Sequence, residues 1–235
     1  MIYIGQQPAL GGSTPTPSQS ITNNKIAIFG DSITAQCSSS TSGFENYGYL
    51  SWALQLSRQN FIFAHENNFG VGGNTTAQML ARVSNVVASD ASVVIVMGGT
   101  NDRGGANFTA AQTISNLTAI RNTLVAAGKV VVLVTPLPRG DSTFTNNRLS
   151  STQLANHLEV RRWIINSNQF LPNVYTVDVW PHVADPMSTT GDIILGYTHD
   201  GLHPNTRGAF YTGRAIAEVL KLLIPQQSIL PTSNT

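Results

Sequence analysis

One cysteine, Cys37, stands among 235 residues. A single thiol excludes an intramolecular disulfide and a cysteine-built zinc site. Cys37 reads as a small buried apolar side chain rather than a reactive thiol. Charge is scarce as well. Asp, Glu, Lys and Arg make up 11% of the chain, against roughly 25% in an average domain, and the formal net charge is +1. There is no run of Lys or Arg, and tight binding to a phosphate backbone draws on clustered cations, so nucleic acid is not expected as a partner. No apolar stretch approaches the ~18 residues needed to span a bilayer. The start, MIYIGQQPALGG, lacks the basic n-region and continuous apolar core of a secretory signal. These absences together predict a soluble protein and leave its compartment open.

Residues 11–24, GGSTPTPSQSITNN, combine Gly, Ser, Thr, Pro and Asn without apolar periodicity. Residues 1–24 are therefore read as a short segment and linker, suited to tethering the chain to a larger assembly such as a phage tail. A domain is expected over 25–225, and 226–235 read as a tail. Within the domain, strand and helix patterns alternate. KIAIFG (25–30), SVVIVMGG (92–99) and KVVVLVTP (129–136) are apolar, β-branched runs that end at Gly or Pro. Such runs belong to strands covered on both faces. FIFAHENNFG (61–70) is a weaker strand, and NVYTVDVW (173–180) should lie nearer an edge. Helical spacing fills 74–88, 109–127, 148–168 and 206–224, with Gly128 closing the second of these. The alternation predicts an α/β fold: about five mostly parallel strands with helices on both faces. In such folds ligands bind beyond the carboxyl ends of the strands.

Four motifs fall at those ends or just before the last helix. GDSIT (30–34) follows the first strand, and its Ser32 can present a hydroxyl to the sheet-end crevice; Asp31 or Ser32 could equally be an ordinary helix cap. FGVGGNTT (69–76) fails the dinucleotide fingerprint, because Thr75 stands where the third glycine is needed. No phosphate loop of the Gly-Lys type occurs elsewhere. Here Asn74 or Thr75 would cap the helix, and Gly73 would leave its N–H open to close approach by an oxyanion, where a side chain would obstruct. GGTNDRGG (98–105) carries Asn101, whose amide can aim a donor at the same crevice. In HDGLHPN (199–205), Asp200 and His203 are three apart on a tight turn. The carboxylate can therefore hold one ring nitrogen and leave the other basic.

Taken in this order, the four blocks resemble the SGNH hydrolase family, the GDSL-like lipases and esterases, over residues 25 to about 224. The resemblance implies a three-layer, flavodoxin-like sandwich. It implies Ser32 as nucleophile, His203 as base and Asp200 as orienting acid, with Ser32, Gly73 and Asn101 as oxyanion donors. Ile33 and Thr34 depart from the pattern that names the family. The Gly-x-Ser-x-Gly elbow of the ordinary α/β-hydrolases is absent. No metal or organic cofactor is expected.

An unactivated serine needs a base within hydrogen-bond reach, and a histidine base predicts loss of activity below roughly pH 6. The expected substrate is a small-molecule or glycan ester with a short acyl group, acetyl above all. Asp31 of GDSIT is expected to touch it, together with Trp180 and Tyr197 of a long loop (179–198) that also carries His182 and Met187. The alternatives are a thioesterase or lysophospholipase acting on longer chains, a carbohydrate-binding module without catalysis, and a nucleotide-binding flavodoxin-like protein. The failed phosphate motifs disfavour the last.

Overall fold

The computed structural model describes residues 21–38, 48–58, 60–104 and 107–223. Five strands, β1 (Lys25–Gly30), β2 (Ile62–Gly70), β3 (Val93–Met97), β4 (Val130–Val134) and β5 (Val174–Val177), form one sheet in the order β2-β1-β3-β4-β5. All four pairings are parallel. Apart from Lys25, every residue of β1, β3 and β4 is buried, as an apolar run covered on both faces requires. The polar-rich β2 and the short β5 occupy the edges, where one side needs no partner. The chain leaves β1 toward β2 and then crosses back to β3. The strand order thus reverses beside β1, where crevices open in doubly wound sheets.

Nine helices accompany the sheet among the described residues: α1 (Ser32–Ala35), α2 (Tyr49–Leu56), α3 (Thr76–Ala81), α4 (Val83–Val87), α5 (Thr100–Gly104), α6 (Ala110–Ala126), α7 (Ser151–Ser167), α8 (Trp180–Val183) and α9 (Thr206–Leu222). Strand side chains alternate between two cores. Ile26, Ile28, Ile95, Val132 and Val177 pack with Ile33, Leu50, Val183 and Ile216, which places α1, α2, α8 and α9 on one face. Ala27, Phe29, Val96 and Leu133 pack with Met79, Val86, Leu117 and Ile164, which places α3, α4, α6 and α7 on the other. The expected three layers are present. Helices α3, α6 and α7 each open with a reciprocal capping box, Thr75–Gln78, Thr109–Gln112 and Ser150–Gln153. Each box satisfies two N–H groups that the helix itself leaves unpaired.

Two expectations need correction. The single helix expected over 74–88 is broken at Arg82, whose φ of −121° and ψ of 15° end α3 and start α4. The apolar spacing continues across the break, so periodicity alone does not reveal it; the cause lies in what the Arg82 side chain reaches, described below. The loop 179–198 also contains a helix, α8, entered through Trp180 and Pro181. Most of the linker (residues 1–20) and the whole tail (226–235) lie outside the described residues. No described helix is long and apolar enough to cross a membrane.

Candidate active site

The site begins where β1 ends. Gly30 is there for want of space, since a Cβ would lie 2.2 Å from Thr34 Oγ1 and 2.4 Å from the Met97 carbonyl. Asp31 then turns the chain as N-cap of α1, its Oδ1 accepting from the Ile33 N–H at 3.0 Å. Ser32 is the first residue of the helix, a position whose own N–H has no intrahelical acceptor. Asp31 was expected to touch substrate, and the structure corrects this. The residue is 1% exposed, and burial pushes its carboxyl up to about 6, partly offset by the Ile33 N–H and the nearby His203.

His203 arrives from the far end of the chain on a turn before α9. Its Nε2 lies 2.9 Å from Ser32 Oγ, and its Nδ1 lies 2.6 Å from Asp200 Oδ2. A carboxylate accepts, so Nδ1 carries the proton and Nε2 presents its lone pair to the serine hydroxyl. Asp200 is held by more than the ring: its Oδ1 accepts from the Leu202 and His203 N–H groups at 2.8 and 2.7 Å. Burial alone would push the Asp200 carboxyl up, but these hydrogen bonds from His203 and Leu202 outweigh it and hold the group below the ordinary carboxylate range. The turn is tied down by Thr198, whose hydroxyl donates to the His203 carbonyl at 2.7 Å and accepts from Gly201 N–H at 2.8 Å. Asn147 donates to the Asp200 carbonyl at 2.7 Å.

The other two blocks follow β2 and β3, the strands that flank β1 in the sheet. Gly73 follows β2 with a φ of +74°. The glycine is required by that conformation, not by crowding, because a Cβ there would meet nothing within 4 Å. Asn101 follows β3 at the start of α5, and its amide donates to the Asn74 carbonyl at 3.1 Å, which leaves a second amide hydrogen. The neighbouring Asp102, fully buried, accepts from the Thr76 N–H at 2.8 Å and from the Thr76 and Thr113 hydroxyls at 2.5 and 2.6 Å. It fastens the Asn101 block to the start of α3.

Arg82 explains the helix break. Its guanidinium lies 4.8 Å over the Phe29 ring and donates to the carbonyls of Gly30 and Phe69 at 2.8 and 2.7 Å, and to Asn74 Oδ1 at 2.8 Å. One side chain therefore holds the turn before Ser32, the end of β2 and the segment after Gly73. Arg139, buried, donates to the Thr100 carbonyl at 2.9 Å and to Asn147 Oδ1 at 3.4 Å, so it joins the Asn101 block to the residue that supports Asp200. None of Arg82, Asn74, Asp102, Arg139, Asn147 or Thr198 was singled out as functional from sequence. Asp102 and Asn74 sit inside motifs and could have been weighed; nothing in the pattern marks the others.

Of the two aromatics expected to touch substrate, one is buried and the other half-buried. Trp180 is 8% exposed, belongs to the core beneath the sheet end, and donates from its indole to the Pro136 carbonyl at 2.8 Å. Its expected role in substrate contact is corrected: loop 179–198 turns helical there and buries it. Tyr197 is half-buried and stacked on Tyr211 of α9, with ring centres 5.1 Å apart. Cys37 is half-buried, and burial pushes its thiol up to about 12. His199 stacks on His203 at 5.7 Å, and His199, Asp200 and His203 place ligand atoms within 4.8 Å of one another. Asp200 is already bonded to His203, and His203 to Ser32, so a cation would compete with that chain rather than support it.

Residues 28–209 match the family model described as GDSL-like Lipase/Acylhydrolase family. Platelet-activating factor acetylhydrolase IB subunit alpha2 of Gallus gallus is 31% identical over 171 residues, 72% of this chain and 67% of that protein. Among solved structures, the lipase/acylhydrolase from Enterococcus faecalis superposes with a TM-score of 0.61 at 23% identity, over 87% of this chain and all of the other. A variant of an acetyl-xylooligosaccharide esterase from Geobacillus Stearmophilus gives 0.61 at 20%, over 86% and 96%. The fold, the order of the motifs and the family match agree: this chain belongs to the GDSL-like lipase/acylhydrolase family.

Proposed function

We infer that this chain is a serine esterase that removes short acyl groups, chiefly acetyl, from hydroxyls of carbohydrate. The observation that carries the reading is the unbroken hydrogen-bonded chain from Ser32 Oγ through His203 to Asp200, at 2.9 and 2.6 Å. As Ser32 Oγ bonds to the ester carbonyl carbon, its proton passes to His203 Nε2, and Asp200 stabilises the resulting imidazolium. The carbonyl oxygen gains charge toward the Ser32 and Gly73 N–H groups and the unspent hydrogen of the Asn101 amide. The carbon–oxygen bond to the alcohol then breaks, and His203 returns the proton to the departing oxygen. Water repeats the sequence on the acyl-enzyme, freeing the acid and Ser32.

The acetyl preference draws on two relatives whose names specify acetyl esters, the acetylhydrolase and the xylooligosaccharide esterase. Hydrolysis of p-nitrophenyl esters from acetate to palmitate, by the wild type and Ser32→Ala, tests the reading. The expected result is a rate highest on acetate and abolished in the variant. Equal rates in the two proteins refute the serine mechanism, and an optimum at eight carbons or more refutes the short acyl group.

A further inference from the structure

We propose that a cavity beside the Asp200–His203 turn is the subsite for the alcohol half of the substrate, and that this alcohol is an uncharged oligosaccharide. The proposal rests on the esterase reading above and names the substrate class for that site.

The cavity holds about 350 Å³ and is bounded by segments 141–148 and 185–195. That volume lies in the usual range for small-molecule sites, roughly 300–1,000 Å³, most of which are walled by apolar side chains. Here the walls are Asp141, Asp185, Asp192, Arg148, Ser188 and Thr190. Arg148 and Asp192 are locked as a forked pair, Nε to Oδ1 at 3.0 Å and Nη2 to Oδ2 at 2.6 Å, and the Thr190 hydroxyl donates to Asp192 at 2.8 Å. This rigid wall is set before any ligand arrives.

Two carboxylates keep an acceptor in reserve. Asp141 Oδ1 accepts from the Thr143 and Phe144 N–H groups at 2.7 and 2.8 Å, and Asp185 Oδ1 accepts from the Met187 N–H at 2.9 Å. Among the described residues nothing donates to the second oxygen of either, although Asp141 is only 2% exposed. An acceptor left open in a cavity wall can take a donor from a ligand, and vicinal sugar hydroxyls supply such donors in pairs. Three carboxylates face one guanidinium, so an anionic glycan is repelled and a neutral one is not. Met187 and Leu195, 86% and 60% exposed, stand at the rim. They offer the flat apolar contact that the C–H face of a pyranose ring can cover.

Position follows from the chemistry. His203 must return its proton to the departing alcohol, so the alcohol leaves on the His203 side of the acyl carbon. Gly140 N–H donates to the Gly201 carbonyl at 2.6 Å, while the Gly140 carbonyl accepts from Ile193 N–H at 2.8 Å. A single strand of chain thus separates the catalytic turn from the cavity wall. The ester-bearing sugar lies at Ser32, and a neighbouring residue of the same glycan chain fills the cavity.

The test compares kcat/KM on acetylated xylose, acetylated xylotetraose, acetylated polygalacturonate and p-nitrophenyl acetate, for the wild type and Thr189→Trp. Thr189 is an exposed residue of the cavity wall, and an indole there occupies the space. The wild type should favour the tetramer over the monosaccharide at least tenfold, and the neutral chain over the anionic one. In Thr189→Trp the ratio of tetramer to p-nitrophenyl acetate activity should fall at least tenfold. Asp141→Asn, which keeps Oδ1 but turns the reserve acceptor into a donor, should lower the same ratio. A wild type indifferent to chain length, a preference for the anionic chain, or a ratio unmoved by Thr189→Trp overturns the proposal while Ser32-dependent hydrolysis of p-nitrophenyl acetate persists. Loss of that hydrolysis itself would refute the esterase reading instead.

Discussion

Asp31 is a carboxyl paid for in stability. In the unfolded chain such a group ionises near 3.8, whereas burial in the fold raises it to about 6. The folded protein therefore binds more protons than the unfolded one between those values, and stability falls as pH rises through the interval. The difference is about two pKa units at about 1.4 kcal/mol each, or roughly 3 kcal/mol lost by neutral pH. Asn in its place keeps an oxygen to accept the Ile33 N–H and carries no charge to bury. Asp31→Asn should thus match the wild type near pH 4 and exceed it by up to about 3 kcal/mol at pH 7.5. For a domain of this size that corresponds to a melting temperature roughly 6–12 °C higher. Urea unfolding of both proteins at pH 4, 5, 6 and 7.5 reads the effect as a difference, which cancels every group they share. Parallel stability curves, or a variant less stable at pH 7.5, would refute the reasoning.

Other expectations concern rates and acid. Asn101→Ala should lower kcat by about 10²–10³ with little change in KM, because the amide acts on charge that exists only in the transition state; steady-state kinetics on p-nitrophenyl acetate measures this. Asp200→Asn should cost about 10³–10⁴ in kcat, since an amide facing Nδ1 drives the ring to the tautomer with its proton on Nε2, toward Ser32; a loss under tenfold would contradict that orientation. Arg82→Lys should lower kcat at least tenfold and reduce the melting temperature, because one ammonium cannot reach three acceptors on separate segments. His157, buried with Nε2 2.9 Å from the Leu137 carbonyl, is held by burial down to about 3. The unfolded chain takes up that proton between about 6.5 and 3, so stability falls with acid across that window; His157→Gln should flatten the loss in pH-dependent unfolding.

The strands were legible because their apolar runs are short, β-branched and punctuated by Gly or Pro, and the edge position of β5 followed from its weaker pattern. The Asp200–His203 pair was legible because a three-residue spacing on a turn is a local geometry. What stayed hidden depends on partners distant in sequence. Arg82 reads as an ordinary helix residue until its guanidinium meets the Gly30 carbonyl, 52 positions away. Trp180 reads as a loop aromatic until its indole meets the Pro136 carbonyl, 44 positions away. Asp31 follows the same rule in reverse: its neighbour Ser32 points into the crevice, and the turn that exposes one side chain buries the other.

The pairing of Ser32 with His203 is the claim on which the chemistry stands, and an alkyl fluorophosphonate interrogates it. The reagent forms an Oγ–P bond with loss of fluoride only where a base activates the hydroxyl. Mass spectrometry of the digested protein should find one adduct, on the peptide containing Ser32, and His203→Ala should all but abolish its formation. An adduct on another residue, or labelling as fast in His203→Ala as in the wild type, would contradict the account.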